Sequence, residues 1–273
     1  MAGNSSGDLL VQTAVHFMEE IINTSLSQIQ QEQGFKIIYA CESGSRAWGF
    51  PSKDSDYDVR FLYINPPEWY LSVDVEEKPD VFERPITEEL DISGWDLRKA
   101  LKLLRKSNPP LLEWLNSPIV YREMSEVVER LKELVPEFYS PIACAYHYLH
   151  MARGNYREYS RGDVVWRKKY LYILRPLLAI GWIEQEAAAV PMKFQILVDR
   201  LISDSDLRRA IDALLEAKKS GKELDRGPAI PELNAFIDSE LKRLETEMPK
   251  RVNPKADVER LNEVFRYALT AAW

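Results

Sequence analysis

CESGSRAWGFPSKDSDYDVRFLYI, residues 41 to 64, joins two apolar runs through a glycine turn and three closely spaced aspartates. An apolar run, Lys36 to Cys41 (KIIYAC), delivers the chain to Gly44 and Ser45, and a second, Val59 to Ile64, leads away from three aspartates. Short apolar runs bounded by turn residues read as buried strands. Asp54, Asp56 and Asp58 recur at alternate positions. Alternate side chains of a strand share a face, so Asp56 and Asp58 are expected to point the same way. Carboxylates held side by side repel each other unless a cation lies between them. Oxygen ligands of this kind suit Mg²⁺, which takes substrate phosphates as further ligands. A short glycine turn can meet phosphate oxygens with backbone N–H groups and a hydroxyl. The ten residues Arg46 to Ser55 leave room for a helical turn and a return loop before the acids. The plain alternative is a solvated turn, since Asp and Ser are favoured there for local hydrogen bonding. The Gly-Ser pair tips the balance toward a metal-dependent phosphoryl- or nucleotidyl-transfer site.

Gly44-Ser45, the spacer and Asp56-Tyr57-Asp58-Val59 resemble the signature of DNA-polymerase-β-type nucleotidyltransferases. That signature is an apolar residue, Gly, Gly or Ser, a spacer, then Asp, apolar, Asp or Glu, apolar. Ser43 stands where an apolar residue is usual, and Tyr57 is an amphipathic occupant. The longer wording GSRAWGFPSKDSDYDVRF, with SGWDLRKALKLL and NPPLLEWLNSPIVY downstream, is similar to the predicted nucleotidyltransferases of bacterial RNA-repair operons over most of the first 180 residues. The resemblance implies an α+β protein. A polymerase-β-like core of mixed sheet flanked by helices is expected over residues 1–121, followed by an all-helical nucleotide- and acceptor-binding domain over 122–273.

The resemblance also implies a reaction, transfer of a nucleoside monophosphate from an NTP to an acceptor hydroxyl with release of pyrophosphate. Gly44 and Ser45 would hold the terminal phosphates, and Asp56 and Asp58 would bind two Mg²⁺ ions, or Mn²⁺, shared with the triphosphate. The family uses a third acid, and Asp91 matches its apolar-Asp-apolar setting between Leu90 and Ile92. Asp91 would bind the ion beside the acceptor hydroxyl and lower its pKa, or act as its base. Its competitors are Asp80 and Glu83 on the preceding segment, and a helix-capping role for Asp91 itself. Arg46 and Lys53, in the connecting loop, are candidates to stabilise developing phosphate charge. In such transferases a helical domain covers the nucleotide, with a basic residue on the triphosphate and an aromatic against the base. Lys168, Lys169 and Tyr172 are the candidates here. The expected acceptor is an RNA 3′ end, tRNA-like. Two alternatives stay open: nucleotidylation of a protein or small-molecule hydroxyl, which the acidic net charge suits, and a non-catalytic nucleotide- or partner-binding module. The intact Gly-Ser, Asp-x-Asp and third Asp argue against the last.

A formal net charge of −7 argues against a general nucleic-acid coater. The charge is uneven. Residues 151–175 carry Arg153, Arg157, Arg161, Arg167, Lys168, Lys169 and Arg175 against Glu158 and Asp163. Tyr156, Tyr159, Trp166, Tyr170 and Tyr172 are interleaved with them. This mixture suits phosphate contacts and base stacking, or equally an amphipathic helix pair with a solvated basic face.

Length and composition set the outer frame. The chain has 273 residues, 45% hydrophobic and 29% charged, enough for one large globular domain or two smaller ones. No apolar stretch approaches the ~20 residues that span a bilayer. MAGNSSGDLL lacks a basic segment followed by an apolar core, so no secretion signal is expected. Cys41 and Cys144 are too few for a disulfide framework and read as buried thiols. A cytoplasmic protein is the expectation.

Elsewhere the pattern is mostly helical. Apolar residues at helical spacing predict a helix over 8–31, closed by Gly34. PPEWYLS reads as a short helix, and VDVEEKPDVFERP as a hairpin or loop. Trp95 to Lys106 reads as a basic amphipathic helix from which Arg98 or Lys99 would reach a phosphate. Glu113 and Trp114 are expected to pack or orient neighbours. Val164 to Ile183 reads as an apolar helix bent at Arg175-Pro176. His147 and His150, at i, i+3, favour a packing or surface role over a metal site. Three amphipathic helices fill the last quarter and read as a cap that says little about substrate.

Overall fold

The computed structural model describes residues 5–52, 54–86, 89–159, 164–186, 189–220, 226–248 and 256–273. Helix α1 (Ser5–Gln33) ends at Gly34, whose φ of 72° turns the chain into β1 (Lys36–Glu42). A one-turn helix α2 (Gly44–Ala47) and a loop lead to β2 (Tyr57–Ile64), which pairs antiparallel with β1. The short helix α3 (Pro67–Tyr70) starts at the Pro66-Pro67 stop. Within VDVEEKPDVFERP the chain forms an edge strand, β3 (Val81–Glu83), antiparallel to β4 (Leu90–Asp96). Strand β4 then lies parallel to β2. Helices α4 (Leu97–Leu104) and α5 (Pro109–Leu115) precede β5 (Val120–Glu123), antiparallel to β1. The resulting five-stranded mixed sheet has the order β3-β4-β2-β1-β5.

Alternation along β2 sorts its residues onto two covered faces. Val59, Phe61 and Tyr63 join Ile22, Leu26 and Ile29 of α1, with Phe35 stacked on Tyr63 at 4.2 Å. Leu62 and Ile64 face the opposite layer, where α4 and α5 contribute Leu97, Leu101, Leu104 and Leu111. Asp58 and Arg60 share that second face by the same alternation, so the acidic end of the sheet looks toward the helical half of the chain.

That half contains α6 (Ser125–Phe138), α7 (Pro141–Tyr159), α8 (Tyr170–Glu186), α9 (Phe194–Leu201), α10 (Ser205–Lys219), α11 (Pro231–Thr246) and α12 (Val258–Ala272). Two expectations need correction. The helix read from Val164 begins only at Tyr170: Val164–Trp166 is a strand, β6, antiparallel to β7 (Arg226–Pro228), followed by a 3₁₀ turn over Arg167–Lys169. The β-branched Val164-Val165 pair favours extended backbone, so the second half is not wholly helical. The helix read from Trp95 begins at Leu97, because the Asp96 carboxylate accepts from the Arg98 N–H at 2.8 Å and caps it there. Pro176 lies inside α8. Both cysteines are buried and free. No helix among the described residues is long and apolar enough to cross a membrane.

A single apolar cluster runs from β1 through the helical half to Ala268 on α12. A buried polar knot crosses the same boundary. Glu113 on α5 accepts from Arg175 of α8 at 2.7 Å, from the Tyr148 hydroxyl of α7 at 2.9 Å and from the Trp48 indole at 3.1 Å. Glu113 is therefore an orienting group, and Trp114 stacks on Trp95 at 3.8 Å.

Candidate active site

Parallel pairing of β2 and β4 places Asp58 directly opposite Asp91 in register. Partners in a parallel pair point to the same face, so the two carboxylates stand side by side at the N-terminal ends of two central strands. Their side chains keep 27% and 25% of their exposure, open enough to meet a ligand. Asp56 precedes β2 by one residue and adds its charge to theirs. Burial raises the Asp58 pKa above the ordinary carboxylate value; Arg60 lowers it, while Asp91 and Asp56 raise it further.

Arg60 is a site residue that the sequence reading missed. Its guanidinium lies 2.7 Å from Asp91 and 3.2 Å from Asp58, and also donates to the Asp91 carbonyl at 3.0 Å. Asp56, Asp58 and Arg60 continue one alternation, which was the signal available in the sequence.

Gly44 is required by space. Its φ is +57°, and a side chain there would overlap the Asp58 carboxylate. Ser45 is buried, with its hydroxyl 3.2 Å from that of Ser55, which also accepts from the Ser52 N–H at 2.9 Å. Arg46 donates to the Ser55 and Asp56 carbonyls at 2.7 and 3.2 Å and lies 3.7 Å over the Tyr57 ring. Both residues brace the loop that delivers Asp56. Lys53 lies outside the described residues. Behind Asp58, Glu42 accepts from the Asp58 N–H at 2.9 Å and from the Tyr121 hydroxyl, and burial pushes its carboxyl up to about 7.

The helical half supplies positive charge across from these acids. Burial pushes Tyr172 up to about 12, and the charges of Asp58 and Asp56 add to the shift. Lys169 sits 5.0 Å from the Tyr172 ring, and burial followed by the neighbouring Lys168 lowers its pKa. Lys218, at the end of α10, was also missed. Burial and Lys168 lower its pKa, Asp56 and Asp58 raise it, and its ammonium lies 5.7 Å from the Phe50 ring. Asp56, Asp58, Tyr172 and three lysines thus fall within one electrostatic neighbourhood. Trp48, edge-on to Tyr172 at 5.5 Å, joins the Gly44 turn to α8.

Other candidates lie elsewhere. Lys99 pairs with Asp80 at 2.8 Å, and Arg98 pairs with Glu76. Glu83 is exposed on the edge strand. His150 lines a groove with Arg153 and Lys242, between α7 and α11. Arg161 and Asp163 fall outside the described residues.

The donor set fits a divalent ion that brings its own further ligands. Asp56, Asp58 and Asp91 offer hard carboxylate oxygens, and Arg60 offsets only one of their charges. Among the described residues no three such side chains converge closely enough to hold an ion alone. Nucleotide phosphates would complete the shell, as Mg²⁺ sites with one or two carboxylates require.

The RNA repair pathway DNA polymerase beta family, RlaP, matches residues 18–267. The uncharacterized protein YcgL of Bacillus subtilis is 46% identical over 257 residues, covering 94% of this chain and 98% of that protein. A crystal structure of a nucleotidyltransferase-like protein from Exiguobacterium sibiricum aligns over 93% of this chain and 90% of that one, at 15% identity and a TM-score of 0.31. That last likeness is too distant to bear on the site.

Proposed function

The chain belongs to the RNA repair pathway DNA polymerase beta family, and from that premise we propose that it transfers a nucleoside monophosphate from an NTP to the 3′ hydroxyl of a tRNA-like RNA. The observation that carries this reading is the in-register pair Asp58 and Asp91, with Asp56 beside them and Lys218, itself near Lys168 and Lys169, within electrostatic reach of Asp56 and Asp58. One side of the site suits divalent ions and the other suits a triphosphate.

In this reading Asp56 and Asp58 would hold Mg²⁺, an ion that would supply Lewis-acid neutralisation of the phosphate charge. Lys168, Lys169 and Lys218 bind the β- and γ-phosphates, and Tyr172 stands beside the nucleotide. The acceptor hydroxyl attacks the α-phosphorus from the Asp91 side. Its oxygen forms the new P–O bond, its proton passes to Asp91 or to water, and the α–β bridging oxygen leaves with pyrophosphate. Gly44 keeps the backbone close to Asp58, while Ser45 and Arg46 fix the loop that presents Asp56. Catalysis of this kind rests on positioning and electrostatics more than on a covalent intermediate.

The test is incubation with each α-labelled NTP, Mg²⁺ and a pool of small RNAs and proteins, beside Asp56→Ala/Asp58→Ala. Label on an RNA 3′ end with the wild type alone is the expected result. Label on protein would keep the chemistry and replace the acceptor. Failure to transfer to any acceptor while NTP still binds would favour a non-catalytic nucleotide-binding module.

A further inference from the structure

Arg60 makes four hydrogen bonds at the acidic end of the sheet. One terminal nitrogen donates to the Val59 and Asp91 carbonyls at 3.1 and 3.0 Å, and the other reaches Asp58 at 3.2 Å and Asp91 at 2.7 Å. Its register partner on β4 is Ser93, small enough to let the long side chain fold back toward Asp91. The Arg60 side chain is only 17% exposed. A guanidinium stays charged at every working pH, and its planar fork suits two carboxylates at once. Arg60 therefore places a permanent positive charge where an ion shared by Asp58 and Asp91 would need to sit. Asp56 lies outside this bridge.

We propose that Arg60 is the resident counter-ion of the acidic platform, holding Asp91 out of divalent-ion binding until a nucleotide is in place. The proposal rests on the transferase reading of the three acids and assigns them different starting states. Before nucleotide arrives, Asp56 and the free oxygen of Asp58 are the carboxylate ligands on offer. Asp91 and the second oxygen of Asp58 are neutralised by Arg60. Triphosphate oxygens supply the negative charge needed to hold a second cation beside an arginine, so ion loading at Asp91 becomes nucleotide-dependent.

The experiment is Mn²⁺ binding to the nucleotide-free protein, read as loss of the free-ion paramagnetic signal, for wild type, Arg60→Gln, Asp91→Asn and the double variant. Removing one screened unit charge a few ångströms from a divalent ion should tighten Mn²⁺ binding in Arg60→Gln by about tenfold or more. Asp91→Asn in the Arg60→Gln background should abolish most of that gain, the non-additivity expected of groups in direct contact. Arg60→Lys keeps the charge but loses the two-carboxylate fork, so its gain should be smaller than that of Arg60→Gln, and it serves where Arg60→Gln does not fold. Unchanged or weaker Mn²⁺ binding in Arg60→Gln (in Arg60→Lys where that variant does not fold), or a gain that survives Asp91→Asn, overturns the proposal. If wild type binds no Mn²⁺ even with ATP present, the transferase reading falls together with it.

Discussion

Glu42 is fully buried behind Asp58, and its carboxyl is pushed from 4.5 up to about 7, chiefly by desolvation. The folded protein therefore keeps a proton that the unfolded chain releases between these values. Stability must fall as pH rises through that window, by about 3 kcal/mol for a shift of this size. Glu42→Gln removes this titration and retains an acceptor for the Asp58 N–H. The expected result, in chelator, is a smaller drop in Tm between pH 5 and pH 8 than in wild type. An equal drop would contradict the assignment. Gly44→Ala tests the turn at the same scale. The positive φ and the overlap with Asp58 predict a loss of about 1 kcal/mol or more in urea unfolding, and loss of transfer activity. Gly44, Asp56 and Asp58 could be singled out because motif spacing survives in one dimension, and Asp91 because it sits between two apolar residues. Arg60 was hidden inside an apolar run, where its charge looked incidental, although its place on the acidic face follows from period two.

At the scale of elements, the site depends on how β2 and β4 meet. Gly94 lies opposite Phe61, and its missing side chain makes room for the Phe61 ring. Gly94→Ala would force ring and strand apart and displace Asp91, three residues away, relative to Asp58. Overpacking of this kind costs roughly 1–3 kcal/mol, so transfer activity should fall sharply while circular dichroism keeps the native signature. Retained activity with unchanged stability would show that the register tolerates the shift. The existence of both strands was readable from apolar runs. Their parallel pairing was not, because it is made by a crossover from Ile64 to Leu90 that carries no pairing signal of its own. The start of α4 was misplaced by two residues for a local reason: only the structure shows Asp96 turned onto the Arg98 N–H.

Across the whole molecule, the acidic end of the sheet and the helical half are built as one packed body. The Glu113–Arg175 pair, 8% and 2% exposed, ties α5 to α8 beside Trp48. Arg175→Met leaves a buried carboxylate without its cation and should cost about 3–5 kcal/mol in urea unfolding. Adding Glu113→Leu should recover part of that loss. A cost near zero for the single variant would mean that the pair is not a structural tie. Long-range convergence was the least legible part of the chain. Lys218 follows Asp58 by 160 residues and sits in an ordinary amphipathic helix, so neither spacing nor composition singles it out. Lys168 and Lys169 stood out only through the local cluster of cations and aromatics.

On the proposed function, the acids of the sheet and the lysines of the helical half bind one metal–nucleotide complex. The most direct test of this is titration with a fluorescent ATP analogue, with Mg²⁺ or with chelator, of wild type, Asp56→Ala/Asp58→Ala and Lys218→Ala. Tight binding that needs Mg²⁺, loses that need in the double aspartate variant, and weakens about tenfold in Lys218→Ala, the scale of one charge-assisted hydrogen bond, is the expected result. Binding indifferent to Mg²⁺ and to both variants would contradict it.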